Sequence, residues 1–138
     1  MYGQESQAAH HRKASMYPTP TTQDIYNYFE NKIEKLKKIG VEKIIIDPGF
    51  GFGKKIEHNY ILLKQLSEFQ NLNIPILIGA SRKSMIYKLL GCSAKEALNG
   101  TTTVHSIAIQ NGANILRVHD VKEAKEAIKI FNFMKNLV

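Results

Sequence analysis

Apolar and polar residues follow one another along this chain in blocks that predict strands and helices in alternation. Three short blocks are apolar at nearly every position, which is typical of strands buried on both faces. These predicted strands are EKIIID (42–47), IPILIGA (74–80) and NILRV (114–118). Between and around them, apolar residues recur at helical spacing, and these segments predict helices at 21–40, 58–69, 82–91, 94–113 and 121–137.

The first predicted helix has the clearest amphipathic stripe. It starts with the cap candidates Thr21 and Thr22 and stops at Gly40, a residue that commonly ends helices. Apolar residues at spacings of three and four define the face expected to pack on the core. They are Ile25, Tyr28, Phe29, Ile33 and Leu36.

The order of these elements predicts an α/β fold. Strands that are apolar throughout and are joined by helical crossovers form parallel sheets covered by helices. From the pattern alone, the fold is either a doubly wound sheet or part of an (α/β) barrel. In both, ligands bind at the carboxyl ends of the strands. Ligand-binding residues are therefore expected at this edge, which we call the strand-end rim.

The first twenty residues differ from the rest. The segment 1–20, MYGQESQAAHHRKASMYPTP, is polar, lacks periodicity and contains two prolines. It predicts a flexible segment ahead of the domain at 21–138. His10 and His11 have no further ligand at a useful spacing, so solvated histidines are favoured over a metal site.

Composition and charge limit the kinds of ligand and the cellular compartment that fit this chain. With 138 residues, 43% of them hydrophobic, the chain can form one domain with its own core. A single cysteine and the lack of a membrane-length apolar run favour the cytoplasm. The net charge of +7 lies largely on helix faces where acids and lysines alternate, with no basic tract interleaved with aromatics. A small anionic ligand is therefore favoured over nucleic acid or a membrane.

The first strand ends in an aspartate and a glycine-rich loop, DPGFGFGK (47–54). The spacing fits neither a P-loop, which would need a glycine at Pro48 and a hydroxyl at Lys55, nor the dinucleotide fingerprint. A carboxylate such as that of Asp47 can accept two parallel hydrogen bonds from a planar ring. The glycines allow a flat ligand to approach the backbone. Phe50 and Phe52 either offer a ring face or anchor the loop.

The other two strands also bring polar side chains to the rim. Ser81, Arg82 and Lys83 follow the second strand, where backbone N–H groups and cations favour an anion such as a carboxylate. Arg117 and His119 end the third strand two positions apart, so both point to the same side, as a phosphate or diphosphate would require. The rim predicts a site for a flat heterocycle, an organic anion and a diphosphate.

Three segments, DPGFGFGK (47–54), GASRKS (79–84) and RVHD (117–120), resemble the signature segments of dihydropteroate synthase. The resemblance runs from about Ile25 to the C-terminus. It implies the last three βα units of a (β/α)8 TIM barrel with parallel strands and covering helices. It also implies condensation of p-aminobenzoate with 6-hydroxymethyl-7,8-dihydropterin diphosphate to 7,8-dihydropteroate and pyrophosphate, in folate synthesis.

The resemblance also implies residue roles. Asp47 would bind the amino-pyrimidine edge of the pterin, and Phe52 would pack near the aminobenzoate. Gly79, Ser81 and Lys83 would bind the organic substrates, Lys83 meeting both. Arg117 would stack on the pterin and reach the diphosphate, with His119 as a second diphosphate contact. Lys83 and Arg117 would be the catalytic residues, stabilising charge as the diphosphate leaves.

The family resemblance further implies a Mg²⁺ cofactor and a homodimer, but the family's magnesium-organising loop has no counterpart in this sequence. The first five strands are also missing, and three strands cannot close a barrel. Two hypotheses follow: a C-terminal part of a synthase completed by other sequence, inactive alone, or a non-catalytic remnant serving as a pterin-binding or assembly module. A corrinoid-dependent methyltransferase is a more distant alternative, which the SRKS segment (81–84) argues against.

Overall fold

A computed structural model describes residues 19–51 and 53–138 of the chain. The predicted flexible segment 1–20 lies almost wholly outside the described residues, and so does Phe52. Within the described part, no helix is long and apolar enough to cross a membrane.

Helices occupy all five segments where the sequence predicts them, and two of those segments are interrupted. The helix predicted at 58–69 is a short α-helix followed by a 3₁₀ segment, Leu66–Leu72, and the one predicted at 94–113 begins with a 3₁₀ turn, Ala94–Glu96. The α-helices are α1 (Thr22–Lys38), α2 (Ile56–Lys64), α3 (Ser84–Leu90), α4 (Leu98–Gln110) and α5 (Val121–Lys135).

Helix α1 begins at a capping box, as the threonine pair predicts. The Asp24 N–H donates to Thr21 Oγ1 (3.1 Å), and the Thr21 N–H donates to Asp24 Oδ2 (2.9 Å). These hydrogen bonds lower the pKa of Asp24. The predicted stripe is largely confirmed, because Ile25, Phe29 and Ile33 are buried; Tyr28, however, is exposed at the side of the helix.

The strands are parallel and pair in chain order. Strand β1 (Leu77–Ile78) pairs with β2 (Ile115–Leu116) in the register Leu77 to Ile115 and Ile78 to Leu116. The first predicted strand (42–47) contributes one parallel bridge, Ile46 to Ile76. All three segments are shorter than predicted. A strand extends only where a neighbour pairs with it, and the outer edges have no neighbour among the described residues.

The core lies between the strands and helices α1 to α4. Phe29 and Phe69 meet edge to face with their ring centroids 6.0 Å apart, and Ile46, Ile76 and Ile78 pack beneath them almost without exposure. Ile45, in contrast, is 47% exposed, so the first strand is buried on one face only, which corrects the prediction of a strand buried on both faces. The architecture is an α/β fold with parallel strands covered by helices on one side.

Candidate active site

The strand-end rim brings together most of the residues singled out from the sequence. A cavity of about 80 Å³ is lined by Gly79, Ser81, Lys83, Arg117, Val118 and His119. All six belong to the segments that follow β1 and β2. Parallel pairing places these two carboxyl ends side by side. The Arg117 N–H donates to the Ile78 carbonyl at 2.9 Å and joins the two segments directly. Asp47 ends the neighbouring segment at the same edge and acts electrostatically on Lys54 and Lys83.

Ser81 and His119 form a direct contact inside this cavity. Ser81 is buried, and its hydroxyl oxygen accepts a hydrogen bond from the His119 backbone N–H at 3.2 Å. The same oxygen lies 2.8 Å from Nδ1 of the His119 ring. The contact orients the imidazole and leaves its Nε2 atom available for a ligand.

Gly79 makes room for the side chain of Arg117. A β-carbon at position 79 would lie 3.0 Å from Cζ of Arg117 and closer still to one of its terminal nitrogens. The guanidinium therefore lies close against the backbone at the end of β1. The glycine in the segment 79–84 is required for this approach rather than for an unusual backbone torsion.

The glycine-rich loop after Asp47 is held in a defined shape. Gly49, Gly51 and Gly53 all have positive φ values (73°, 90° and 76°), a region that other residues rarely adopt. The Gly49 N–H donates to Oδ1 of Asp47 at 3.0 Å, which forms a turn around the aspartate. One carboxylate oxygen of this half-buried side chain is therefore occupied in part by its own loop.

Three side chains from outside this turn anchor the loop. Lys54 donates to the Gly49 carbonyl at 2.6 Å, and Lys83 donates to the Phe50 carbonyl at 2.8 Å. The buried Asn59, on α2, accepts from the Gly51 N–H at 2.8 Å. Lys54 and Asn59 are contacts that the sequence reasoning missed. Lys54 could have been found from its position at the end of the DPGFGFGK segment, whereas nothing in the sequence pattern indicated Asn59.

Two half-buried lysine ammonium groups, those of Lys54 and Lys83, lie near the carboxylate of Asp47 and shape the electrostatics of the rim. Burial lowers the pKa of Lys83, the charge of Arg117 lowers it further, and Asp47 opposes the shift. Burial likewise lowers the pKa of Lys54, from 10.5 to about 8, with the charge of Lys83 adding to the effect. Since cations outnumber carboxylates at this edge, an anionic ligand would relieve their mutual repulsion.

We expect Lys54 to titrate near pH 8, as a ¹³C NMR titration of its ε-carbon would measure. Its folded pKa lies below the unfolded value of 10.5, so the unfolded chain binds more protons between these pH values. The free energy of unfolding should therefore rise from pH 8 to about pH 10.5. The isosteric variant Lys54→Met should lack both the transition and this rise. A midpoint above pH 10 would contradict the desolvation of the ammonium group at this half-buried position.

Arg82 does not face the rim, which corrects the interpretation of SRKS (81–84) as a cluster of cations around one anion. Its backbone is left-handed (φ 53°), and its guanidinium makes a two-pronged ion pair with Asp120 through Nε (2.9 Å) and Nη2 (3.0 Å). Only Ser81 and Lys83 of this segment line the cavity.

The described residues do not provide a set of ligands for the expected Mg²⁺ ion. Within residues 19–51 and 53–138, no group of three or more His, Cys, Asp or Glu side chains could hold a metal ion. Asp47 alone, with one oxygen turned toward Gly49, does not meet the preference of Mg²⁺ for several oxygen ligands. These residues therefore do not fit magnesium by themselves.

Parallel strands covered by helices, with a cation-lined cavity at their carboxyl ends, define the class of this chain as an α/β fold with a candidate ligand site at the edge where such folds bind ligands. Comparison with known sequences makes the assignment specific. The chain belongs to the pterin binding enzyme family, whose model matches residues 1–119. The match confirms the resemblance seen in the motifs and extends beyond it, since the motifs suggested a start near Ile25.

The relatives agree with the family. Dihydropteroate synthase of Escherichia coli (strain K12) is 44% identical over 122 residues, covering 84% of this chain and 43% of that protein. The Haemophilus influenzae synthase is 37% identical over 126 residues, covering 90% and 46%. The chain thus spans less than half the length of these curated relatives.

Solved structures give the same result. The Yersinia pestis dihydropteroate synthase matches with a TM-score of 0.82 at 41% identity, covering 88% of this chain and 51% of that one. A synthase from Coxiella burnetii in complex with pteroic acid matches with a TM-score of 0.78 at 40% identity, covering 82% and 43%.

Proposed function

We propose that this chain is the C-terminal part of a dihydropteroate synthase that joins p-aminobenzoate to 6-hydroxymethyl-7,8-dihydropterin diphosphate. The observation that carries the proposal is the single cavity lined by Gly79, Ser81, Lys83, Arg117 and His119, with Asp47 at the same edge. A non-catalytic pterin-binding remnant would not need all of these residues in one cavity. It would have no use for both a lysine that binds aminobenzoate, Lys83, and a pair that binds the diphosphate, Arg117 and His119.

We also propose that the chain forms the last three βα units of a (β/α)8 barrel, within a domain that begins near residue 21. Support comes from the pairing order, in which the segments at Ile46, β1 and β2 are parallel neighbours in chain order. Sequential parallel neighbours are the arrangement found in such barrels. The remaining strands would come from sequence outside this chain, and they would cover exposed apolar residues such as Ile45 and Ile115.

The proposed residue roles are those that the family resemblance implies, and the contacts of the residues around the cavity support them. Asp47 accepts hydrogen bonds from the pterin through the carboxylate oxygen that its loop leaves available. Lys83 lies between the glycine-rich loop and the cavity, so its ammonium reaches both organic substrates. Arg117 and His119 take the diphosphate side, while Phe52, outside the described residues, is proposed to pack on the aminobenzoate.

The reaction proposed is a substitution at the pterin methylene carbon. The bond from this carbon to the diphosphate oxygen breaks, its electron pair leaves with pyrophosphate, and the aminobenzoate nitrogen forms the new bond and loses a proton. Positioning and charge stabilisation carry such a step. Arg117, Lys83 and the His119 ring stabilise the leaving negative charge.

Magnesium remains part of the proposal for the completed barrel only. No residue described here is assigned to hold it, and no step above depends on it. Sulfonamides are a related expectation, because a Yersinia pestis structure carries a sulfonamide drug, and we propose the same class of inhibitor for the aminobenzoate side of this cavity.

The test compares two proteins. One is the 138-residue chain alone; the other is the completed enzyme, which we define as a polypeptide with residues 21–138 in place of the matching segment of the Escherichia coli relative. We expect product only from the completed enzyme, because the chain alone provides half the site. Turnover by the chain alone would contradict the partial-barrel proposal, and a folded but inactive completed enzyme would favour the non-catalytic alternative.

Gly79→Ala in the completed enzyme should lower kcat/KM for the pterin diphosphate by roughly tenfold. The new methyl group would occupy the position of the Arg117 guanidinium and displace it. Steady-state kinetics with the pterin diphosphate varied would measure the effect. The matched control is the same substitution in an Arg117→Ala background, where no collision remains and Gly79→Ala should have little further effect. An equal loss in both backgrounds would show that Gly79 acts otherwise.

A further inference from the structure

The ion pair between Arg82 and Asp120 joins the two segments that carry the proposed site. Arg82 lies between Ser81 and Lys83, and Asp120 directly follows His119. Both side chains point away from the cavity, yet their neighbours line it. The pair is therefore placed to fix the position of one segment relative to the other.

The contacts of Arg82 are extensive. Besides the two hydrogen bonds to Asp120, Nη1 donates to the carbonyl oxygens of Ala94 (2.8 Å) and Lys95 (2.7 Å). The Arg82 backbone N–H donates to Oγ1 of the buried Thr101 at 3.0 Å. One residue thus connects the segment after β1, the 3₁₀ turn before α4, α4 itself and the segment after β2.

The geometry also separates this pair from an ordinary surface ion pair. The side chains of Arg82 and Asp120 are 21% and 22% exposed, whereas those of the exposed pair Lys38 and Glu34 on α1 are 73% and 62% exposed. The planar guanidinium meets the carboxylate with two parallel hydrogen bonds, a geometry that lysine cannot reproduce. The contact with Arg82 lowers the pKa of Asp120, so the carboxylate stays charged.

We propose that Arg82 and Asp120 are positioning residues for the synthase reaction, which keep Ser81 and Lys83 in register with Arg117 and His119. The inference rests on the proposed function. Lys83 serves both organic substrates, whereas Arg117 and His119 serve the diphosphate, so aminobenzoate is bound by one segment and the pterin diphosphate by both. The transition state depends most strongly on the correct separation of the two segments, because the leaving diphosphate and the attacking aminobenzoate must then be aligned.

The effect is therefore expected in kcat. In the completed enzyme, Arg82→Ala should lower kcat on the order of a hundredfold, the loss that a misplacement of about 1 Å can cause. The KM for p-aminobenzoate, which one segment binds, should change far less. Arg82→Lys should also be impaired, because it keeps the charge but loses the two parallel hydrogen bonds. The control Lys38→Ala, which breaks the exposed pair, should leave the kinetics unchanged.

Chemical rescue separates positioning from a loss of folded protein. Millimolar guanidinium chloride should restore part of kcat to Arg82→Ala by occupying the place beside Asp120, while sodium chloride at the same concentration should not. The double variant Arg82→Ala/Asp120→Ala should not be rescued, since it lacks the carboxylate. Wild-type kcat in Arg82→Ala would overturn the proposal. So would a loss that matches the unfolded fraction by circular dichroism and resists rescue.

A measurement on the 138-residue chain makes this test independent of turnover. The ¹⁵N NMR signals of the His119 ring report its contact with Ser81, and Ser81→Ala provides the reference for its loss. In Arg82→Ala, the His119 signals should move toward that reference. An inactive completed enzyme with Arg82 intact would contradict the proposed function, and the NMR result would still decide the inference, because unchanged His119 signals would overturn it.

Discussion

Replacing Lys83 by alanine in the completed enzyme should lower kcat/KM for both p-aminobenzoate and the pterin diphosphate, each on the order of ten- to a hundredfold. A hydrogen bond to a charged group contributes roughly 1.5–3 kcal/mol, which corresponds to this range. The ammonium lines the cavity and also donates to the Phe50 carbonyl, so its loss removes a substrate contact and an anchor of the glycine-rich loop together.

Two further variants separate these contributions. Lys83→Met keeps the length of the side chain and removes only the ammonium, so it should match the alanine variant if charge and hydrogen bonding dominate. Lys88→Ala removes an exposed lysine from α3, the helix that begins directly after Lys83, and should leave both Michaelis constants unchanged. If Lys83→Ala left the affinity for aminobenzoate untouched, the assignment of Lys83 to both substrates would be wrong.

The sequence predicted which residues meet at the strand-end rim, for a physical reason. Parallel strands place their carboxyl ends at one edge, and Ser81, Lys83, Arg117 and His119 follow two strands that are adjacent in the chain. The prediction needed only the position of each strand end, and not its length. The overestimate of strand length, clearest for the reduction of 42–47 to one bridge at Ile46, therefore did not affect it.

Side-chain direction was harder to predict. Arg82 looked like a third cation for an anion, but successive residues of an extended segment point to opposite sides, and its left-handed backbone carries the guanidinium to Asp120. The role of Asn59 could not be predicted from the sequence either. Its contact with Gly51 spans a helix start and a loop eight residues apart, and no period in the sequence encodes such a contact.

The site also contains one interaction that residue types alone could not predict, the approach of Arg117 to the backbone at Gly79. The sequence supplied both residues, 38 positions apart, as members of two separate motifs. Their contact depends on the register of β1 against β2, since the Arg117 N–H donates to the carbonyl of Ile78, directly before Gly79. The register therefore determines where the guanidinium lies.

Arg117→Ala in the completed enzyme should lower kcat/KM for the pterin diphosphate on the order of ten- to a hundredfold while changing the KM for p-aminobenzoate little. The guanidinium lies against Gly79 at the end of β1, beside His119, and on the proposed diphosphate side of the cavity. Its absence would remove charge that stabilises the departing diphosphate, so kcat should fall together with kcat/KM.

The selectivity between substrates is the decisive measurement for Arg117. Arg117→Lys keeps a positive charge but not the planar fork, so it should recover part of the activity if simple charge matters and little if stacking and paired hydrogen bonds matter. Lys122→Ala, which removes an exposed cation from the first turn of α5, should behave as wild type. Initial rates with each substrate varied in turn give the Michaelis constants. An equal rise in the Michaelis constants for both substrates in Arg117→Ala would contradict the division of labour with Lys83, because a residue confined to the diphosphate side cannot weaken the binding of aminobenzoate as strongly as that of the pterin diphosphate.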